Sequence, residues 1–182
     1  MPCFTGCTLA LGVALTAFCL SPGKAEAQNA AQIARGRYIV EGPGGCGDCH
    51  TPGALTGKPD MARTLGGSDI GWAVPGLGVF VSPNLTPDKQ TGLGNWTTEQ
   101  IVTAFTKGRM PSGRILAPAM PWRDFAHLTR SDAFAVAAYL KSLKPVRHTV
   151  PGPFGPRQKV DVPVMTVLPA AVYNRMLKPG SQ

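Results

Sequence analysis

The chain has 182 residues, 43% of them hydrophobic but only 7% aromatic, with 22 glycines and 18 prolines. That length has room for one domain and a tail, or for a very small pair of domains, and the composition predicts so much irregular backbone that apolar burial alone stabilises such a domain poorly. The net charge of +8 suits an acidic protein, anionic lipid or nucleic acid, but no dense Lys/Arg run with interleaved aromatics is present, so nucleic acid is not expected as a partner.

Residues 1–27 read as an export signal. An apolar run over 7–20 precedes Ser21-Pro22-Gly23, and Ala25-Glu26-Ala27 has the small-x-small pattern of a signal-peptidase site. The run is too short to cross a bilayer as a helix, although residues 1–6 lack the Lys or Arg usual in such signals. Cleavage after Ala27 removes Cys3, Cys7 and Cys19 and leaves Cys46 and Cys49. A protein in an oxidising compartment with two cysteines has no disulfide framework, so these two need another purpose. The charge is unchanged by cleavage because Lys24 and Glu26 cancel. No stable membrane span is expected in the mature chain.

A first helix is predicted over residues 29–41, with Ile33, Arg37 and Val40 at helical spacing. Gly36 inside it weakens the helix and marks a close approach by another element. Gly42-Pro43-Gly44-Gly45 ends it and leads into Cys46-Gly47-Asp48-Cys49-His50, the spacing of covalent c-type haem attachment. Residues three and four apart share a helix face. Both sulfurs then reach the two vinyl groups of one porphyrin, and the next imidazole turns onto the iron. A closed zinc site usually needs four Cys or His ligands, and only His127 and His148 remain to complete one. A thioredoxin-like pair expects alternating strands and helices, whereas residues 51–83 are rich in Gly and Pro.

Within residues 65–83, Val79-Phe80-Val81 reads as a short extended segment. Thr97 with Gln100 forms a capping box, Ile101 and Phe105 share a face, and Gly108 stops the helix. A low-spin electron carrier needs a second axial ligand, commonly Met. Met61, Met110, Met120, Met165 and Met176 are available, and Pro118-Ala119-Met120-Pro121 brackets Met120 with two prolines that stiffen its loop. Met110 reads as packing. His127 or His148 would instead give a bis-His site, without comparable bracketing. Thr129 with Asp132 opens a last helix whose apolar residues are Phe134, Val136, Ala137, Leu140 and Leu143, and Pro145 closes it. Residues 28–147 form the main domain. Residues 148–182 are an extended, Pro-rich tail that wraps the domain or stays mobile.

Cys46 to Thr51, Ser82-Pro83-Asn84-Leu85-Thr86-Pro87-Asp88, Thr91-Gly92-Leu93-Gly94-Asn95-Trp96, Pro118-Ala119-Met120-Pro121-Trp122 and Ala137-Ala138-Tyr139-Leu140-Lys141-Ser142-Leu143 together resemble the class I c-type cytochromes. They resemble most the cytochrome domains in multi-haem subunits of periplasmic alcohol and gluconate dehydrogenases. The likeness covers roughly residues 33–146. It implies an all-α fold of several short helices around one haem, with long Gly/Pro-rich loops. The first and last helices would cross with Gly36 against Tyr139. It also implies His50 and Met120 as axial ligands and places Asn84 and Trp96 in the haem pocket. The chain departs from those subunits in having one haem motif where they carry several, and no membrane-anchoring segment is expected near its C-terminus.

The expected function is a periplasmic carrier with one covalent haem c, moving single electrons from a dehydrogenase to an oxidase or another cytochrome. Lys107, Arg109, Arg114 and Arg123 flank the Met120 loop and are placed to steer an acidic partner. The alternative is a peroxidase-like enzyme or ligand sensor with an open or displaceable sixth position, for which His127 is the candidate distal acid-base group.

Overall fold

A computed structural model describes residues 22–177. The expected signal run over 7–20, with Cys3, Cys7 and Cys19, lies outside the described residues. Helix α1 (Pro22–Glu41) begins seven residues before the expected start at Asn29. The extra turns are rich in Ala, Lys, Glu and Gln, all good helix formers, and the expected cleavage point after Ala27 falls inside this helix.

One turn of helix, α2 (Cys46–His50), follows the glycine linker. Helix α3 (Thr98–Lys107) is bounded as its sequence predicts. Thr97 accepts from the Gln100 N–H, Gln100 reaches back to the Thr97 N–H, and Gly108 takes the left-handed conformation (φ 66°) past the last turn. The short α4 (Trp122–Phe125) leads into α5 (Arg130–Ser142), whose N-cap Thr129 accepts from Asp132 as expected. Buried Ala133, Ala135, Val136, Ala137, Tyr139 and Leu140 show that α5 is covered on more than one face. Helix α1 crosses one side of it and α3 lies on another.

The crossing of α1 and α5 carries the core. Ile39, Val40, Leu65, Leu93, Ile101, Val136, Ala137, Tyr139 and Leu140 form one buried cluster, with Trp96 and Phe105 packed against it. Gly36 sits at the contact: a methyl group there would overlap the Ala135 carbonyl and lie 2.8 Å from Cβ of Tyr139. The close approach predicted at Gly36 is therefore real, and Ala135 shares it with Tyr139. Arg35 pairs with Asp132 at 2.7 Å, and the Tyr139 hydroxyl donates to Glu41.

The all-α expectation needs correction. Strands β1 (Gly71–Val74) and β2 (Gly78–Val81) form an antiparallel hairpin, and β3 (Val164–Met165) pairs in parallel with β1, giving the order β2-β1-β3. Val79-Phe80-Val81 was the only part of this sheet visible as an extended segment. The tail supplies the rest. Gly71 donates to Pro163 O at 2.9 Å, and Val79 and Phe154 exchange both backbone bonds at 2.9 Å. An isolated hairpin is marginal in water, and the tail covers both of its edges with hydrogen-bonding backbone. The tail thus wraps the domain, then turns into a short helix, α6 (Ala170–Met176), where extended chain was expected. Among the described residues, no helix is long and apolar enough to cross a membrane.

Candidate haem site

The site is built from a glycine turn. Gly45 takes the left-handed conformation (φ 51°) and starts α2, which puts Cys46, Cys49 and His50 on a single helical turn. The Thr51 N–H closes that turn on Gly47 O at 3.0 Å. No disulfide joins the two cysteines. Burial pushes the Cys46 thiol up to about 11, with neighbouring Cys49 and Asp48 adding to the rise, and burial raises Cys49 too. Such thiols stay protonated at neutral pH. A redox pair of the thioredoxin type needs the opposite shift. Among the described residues, no group of three His, Cys, Asp or Glu is arranged to hold a metal ion.

His50 is buried, and its Nδ1 lies 2.7 Å from the Pro83 carbonyl. A carbonyl only accepts, so Nδ1 carries the proton and the Nε2 lone pair is left for a ligand bond. Burial lowers the pKa of His50 and keeps the imidazole neutral, against the smaller raising effect of the Pro83 bond. No hydrogen bond to Nε2 occurs among the described residues. Neutral imidazole with a fixed tautomer, one residue beyond two thiols on the same turn, is the donor set that covalent haem requires. The residues present fit the group.

Two loops hold this histidine. Gly67 donates to the His50 carbonyl at 2.8 Å. Leu65, fully buried, adopts a left-handed conformation (φ 60°) that costs a non-glycine residue about 1–3 kcal/mol. Its N–H is held by Thr51 Oγ1 at 3.1 Å and its carbonyl by the Leu85 N–H at 2.8 Å. On the other side Asn84 is buried beside Pro83. Its Nδ2 donates to Thr91 Oγ1 (3.1 Å) and Val146 O (2.7 Å), and its Oδ1 accepts from the N–H and hydroxyl of Thr86 (2.9 and 2.7 Å). The Asn84 amide is thus committed to protein, and the backbone next to it reaches the histidine.

Trp96 is half-buried against the same core cluster as Cys46. Its carbonyl accepts from Lys141 at 2.9 Å, while its indole N–H has no hydrogen-bond partner among the described residues. Met120 is half-exposed on the loop between α3 and α4. Its N–H bonds Ala117 O at 3.0 Å and its carbonyl takes the Trp122 N–H at 2.8 Å. The loop is pinned at its base. The Trp122 ring packs against Gly108, where a methyl would lie 2.6 Å from it, Leu116 donates to Gly108 O at 2.7 Å, and Phe105 meets Phe125 edge-on at 6.1 Å. Met110 occupies the tight turn closed by the Arg109–Ile115 bridge and is only half-buried. Lys107, Arg109, Arg114, Arg123 and His127 are all exposed.

The Pro83 carbonyl, the 65–67 turn and Thr51 escaped the sequence reading. Pro83 stands in a quoted motif, but a carbonyl is common to every residue, so no residue type signals its role. The left-handed Leu65 leaves no mark either, because glycine is the residue that announces such a turn.

The cytochrome c family profile matches residues 33–144. The chain is 36% identical over 118 residues to the cytochrome c subunit of alcohol dehydrogenase (quinone) from Gluconacetobacter polyoxogenes, a match covering 63% of this chain and 25% of that one. It is 35% identical over 121 residues to the gluconate 2-dehydrogenase cytochrome c subunit of Pantoea cypripedii, covering 64% and 27%. It is 32% identical over 112 residues to the fructose dehydrogenase cytochrome subunit of Gluconobacter japonicus, covering 60% and 21%. The chain therefore spans about a quarter of the first two relatives and about a fifth of the third.

Proposed function

Because this chain belongs to the cytochrome c family, we propose that it is a mono-haem c-type cytochrome that passes single electrons between redox partners. The observation that carries the reading is His50, buried, neutral and locked by Pro83 into the tautomer that presents Nε2, immediately after Cys49 on the turn begun by Cys46. Cys46 and Cys49 would hold the haem through thioethers, and His50 and Met120 would ligate its iron. Bound haem supplies a reversible one-electron couple between ferric and ferrous iron.

The protein's part is to keep the surroundings still. Asn84 fixes Pro83, Pro83 fixes the imidazole, and Trp96 packs on the core cluster that Cys46 also touches. The Met120 loop, clamped through Trp122 and Gly108, resists displacement of its ligand. Little then has to move when the charge changes.

Residues 1–27 serve as an export signal that is cut after Ala27, and the mature domain works in the periplasm. The relatives named above are subunits of alcohol, gluconate and fructose dehydrogenases, which supports a dehydrogenase as donor and an oxidase or another cytochrome as acceptor. Exposed Lys107, Arg109, Arg114 and Arg123 border the Met120 loop and favour an acidic face on the partner, in the small, transient encounters typical of redox pairs.

The visible spectrum of protein matured in the periplasm tests this. Sharp low-spin c-type bands, with a weak far-red ferric band that vanishes in Met120→Ala, are expected. A high-spin wild-type spectrum that shifts when small ligands are added would overturn the carrier reading and favour an open-site enzyme or sensor.

A further inference from the structure

The backbone leaving α5 grips both loops that hold His50. Val146 donates to Thr86 Oγ1 at 3.0 Å, and its carbonyl accepts from Asn84 Nδ2 at 2.7 Å. Two residues on, the His148 N–H donates to Thr91 Oγ1 at 3.1 Å, and His148 Nδ1 lies 2.8 Å from the Gly66 carbonyl. That oxygen only accepts, so Nδ1 is the donor. The Gly66 carbonyl and the Gly67 N–H belong to one peptide group, and the Gly67 N–H donates to the His50 carbonyl at 2.8 Å. A chain of two hydrogen bonds joined by a single peptide therefore runs from the His148 ring to the backbone of the haem-binding histidine.

Packing closes off other arrangements of this corner. A methyl at Gly66 would lie 3.1 Å from Val146 Cγ1, and one at Gly67 would overlap Val150 and lie 3.1 Å from the Asn84 N–H nitrogen. The 66–67 turn, the 83–84 loop and residues 146–150 thus meet without spare room. Hydrogen bonds in series polarise one another. A donor on the Gly66 carbonyl makes the Gly67 N–H a better donor and tightens its hold on His50.

We propose that His148 is a positioning residue for the haem ligand: acting through the 66–67 peptide, it holds the last turn of α2 and so tunes the reduction potential. The proposal rests on the mono-haem carrier reading, since a potential is tuned only where a haem is bound. Hydrogen bonds behind a metal ligand are one of the levers a protein has on that potential.

Three variants of the exported, haem-loaded protein test it. His148→Leu keeps bulk and removes the donor, His148→Ala covers the case in which the leucine does not fold, and His148→Asn places an amide N–H near the position of Nδ1. The measurements are the midpoint potential and the hydrogen exchange of the Gly67 amide. Leucine or alanine should shift the potential and speed Gly67 exchange about tenfold, the effect of losing roughly 1.4 kcal/mol, while asparagine restores both. An unchanged potential, or a shift that asparagine does not reverse, overturns the proposal. A wild-type protein without a low-spin c-type spectrum would instead defeat the carrier reading, and Gly67 exchange would still report whether the chain from His148 exists.

Discussion

Replacing Gly36 with alanine sets two known effects against each other at one atom. Alanine is the better helix former, and in the interior of α1 the change is worth about 1 kcal/mol in favour of the variant. Against it stands the new methyl, which overlaps the Ala135 carbonyl and sits 2.8 Å from Tyr139 Cβ. Overpacking a well-filled site costs about 1–3 kcal/mol. The upper end applies here, because the main obstacle is backbone within α5 and no rotamer change moves it. The helices cannot easily slide apart, since Arg35–Asp132 at 2.7 Å and the Tyr139–Glu41 hydrogen bond tie them together beside the contact. The net expectation for Gly36→Ala is a loss of about 2 kcal/mol, or about 6 °C in Tm for a domain of this size. Urea and thermal unfolding of the haem-loaded protein measure both. A Gly36→Ala variant as stable as wild type, or more so, would refute the reasoning and show that the crossing relaxes at no cost.

Asn84→Ala should cost about 2 kcal/mol, because it strands the buried Thr86 N–H and leaves the Val146 carbonyl with the longer bond from the Thr86 hydroxyl, at 3.4 Å, alone. A loss below about 1 kcal/mol in urea unfolding would mean that water replaces the amide. Tyr139→Phe should cost about 1 kcal/mol at neutral pH by removing the bond to Glu41. Burial, and then Glu41, push Tyr139 up to about 12, so its contribution is complete below the ordinary tyrosine range near 10 and is lost as pH rises through about 12. Glu41 is shifted the other way, by Tyr139 and then Arg37, and its contribution fades as pH falls below the usual carboxylate range. The stability gap between wild type and Tyr139→Phe, followed by denaturant midpoints across pH, should therefore narrow at the alkaline end. A gap that stays constant there would contradict the assignment.

The local signals read well. Thr97, Gln100 and Gly108 bound α3 as their side chains and conformational freedom require, Thr129 opens α5, and Gly36 marks the helix crossing. Where the reading fell short, the missing partner was far away in sequence. Strand β1 lacks a strong alternating pattern and becomes a strand because β2 and the tail bond to it, with Gly71 opposite Val164. Helix α1 begins at Pro22, before the expected Asn29, because the good helix formers between them carry no stop signal.

What the sequence determined by itself is the chemistry: two thiols and an imidazole at Cys-x-x-Cys-His spacing share a helical turn whatever surrounds them, because 3.6 residues per turn is a property of the backbone. Only the tertiary structure decided how that imidazole is held. The Pro83 carbonyl, the Gly67 N–H, the left-handed Leu65 and the His148 ring come from three separate stretches of chain. They meet because the crossing of α1 and α5 and the wrapped tail bring them together. Backbone groups are alike at every position, so which of them ends up against His50 is a matter of packing that no local pattern can announce.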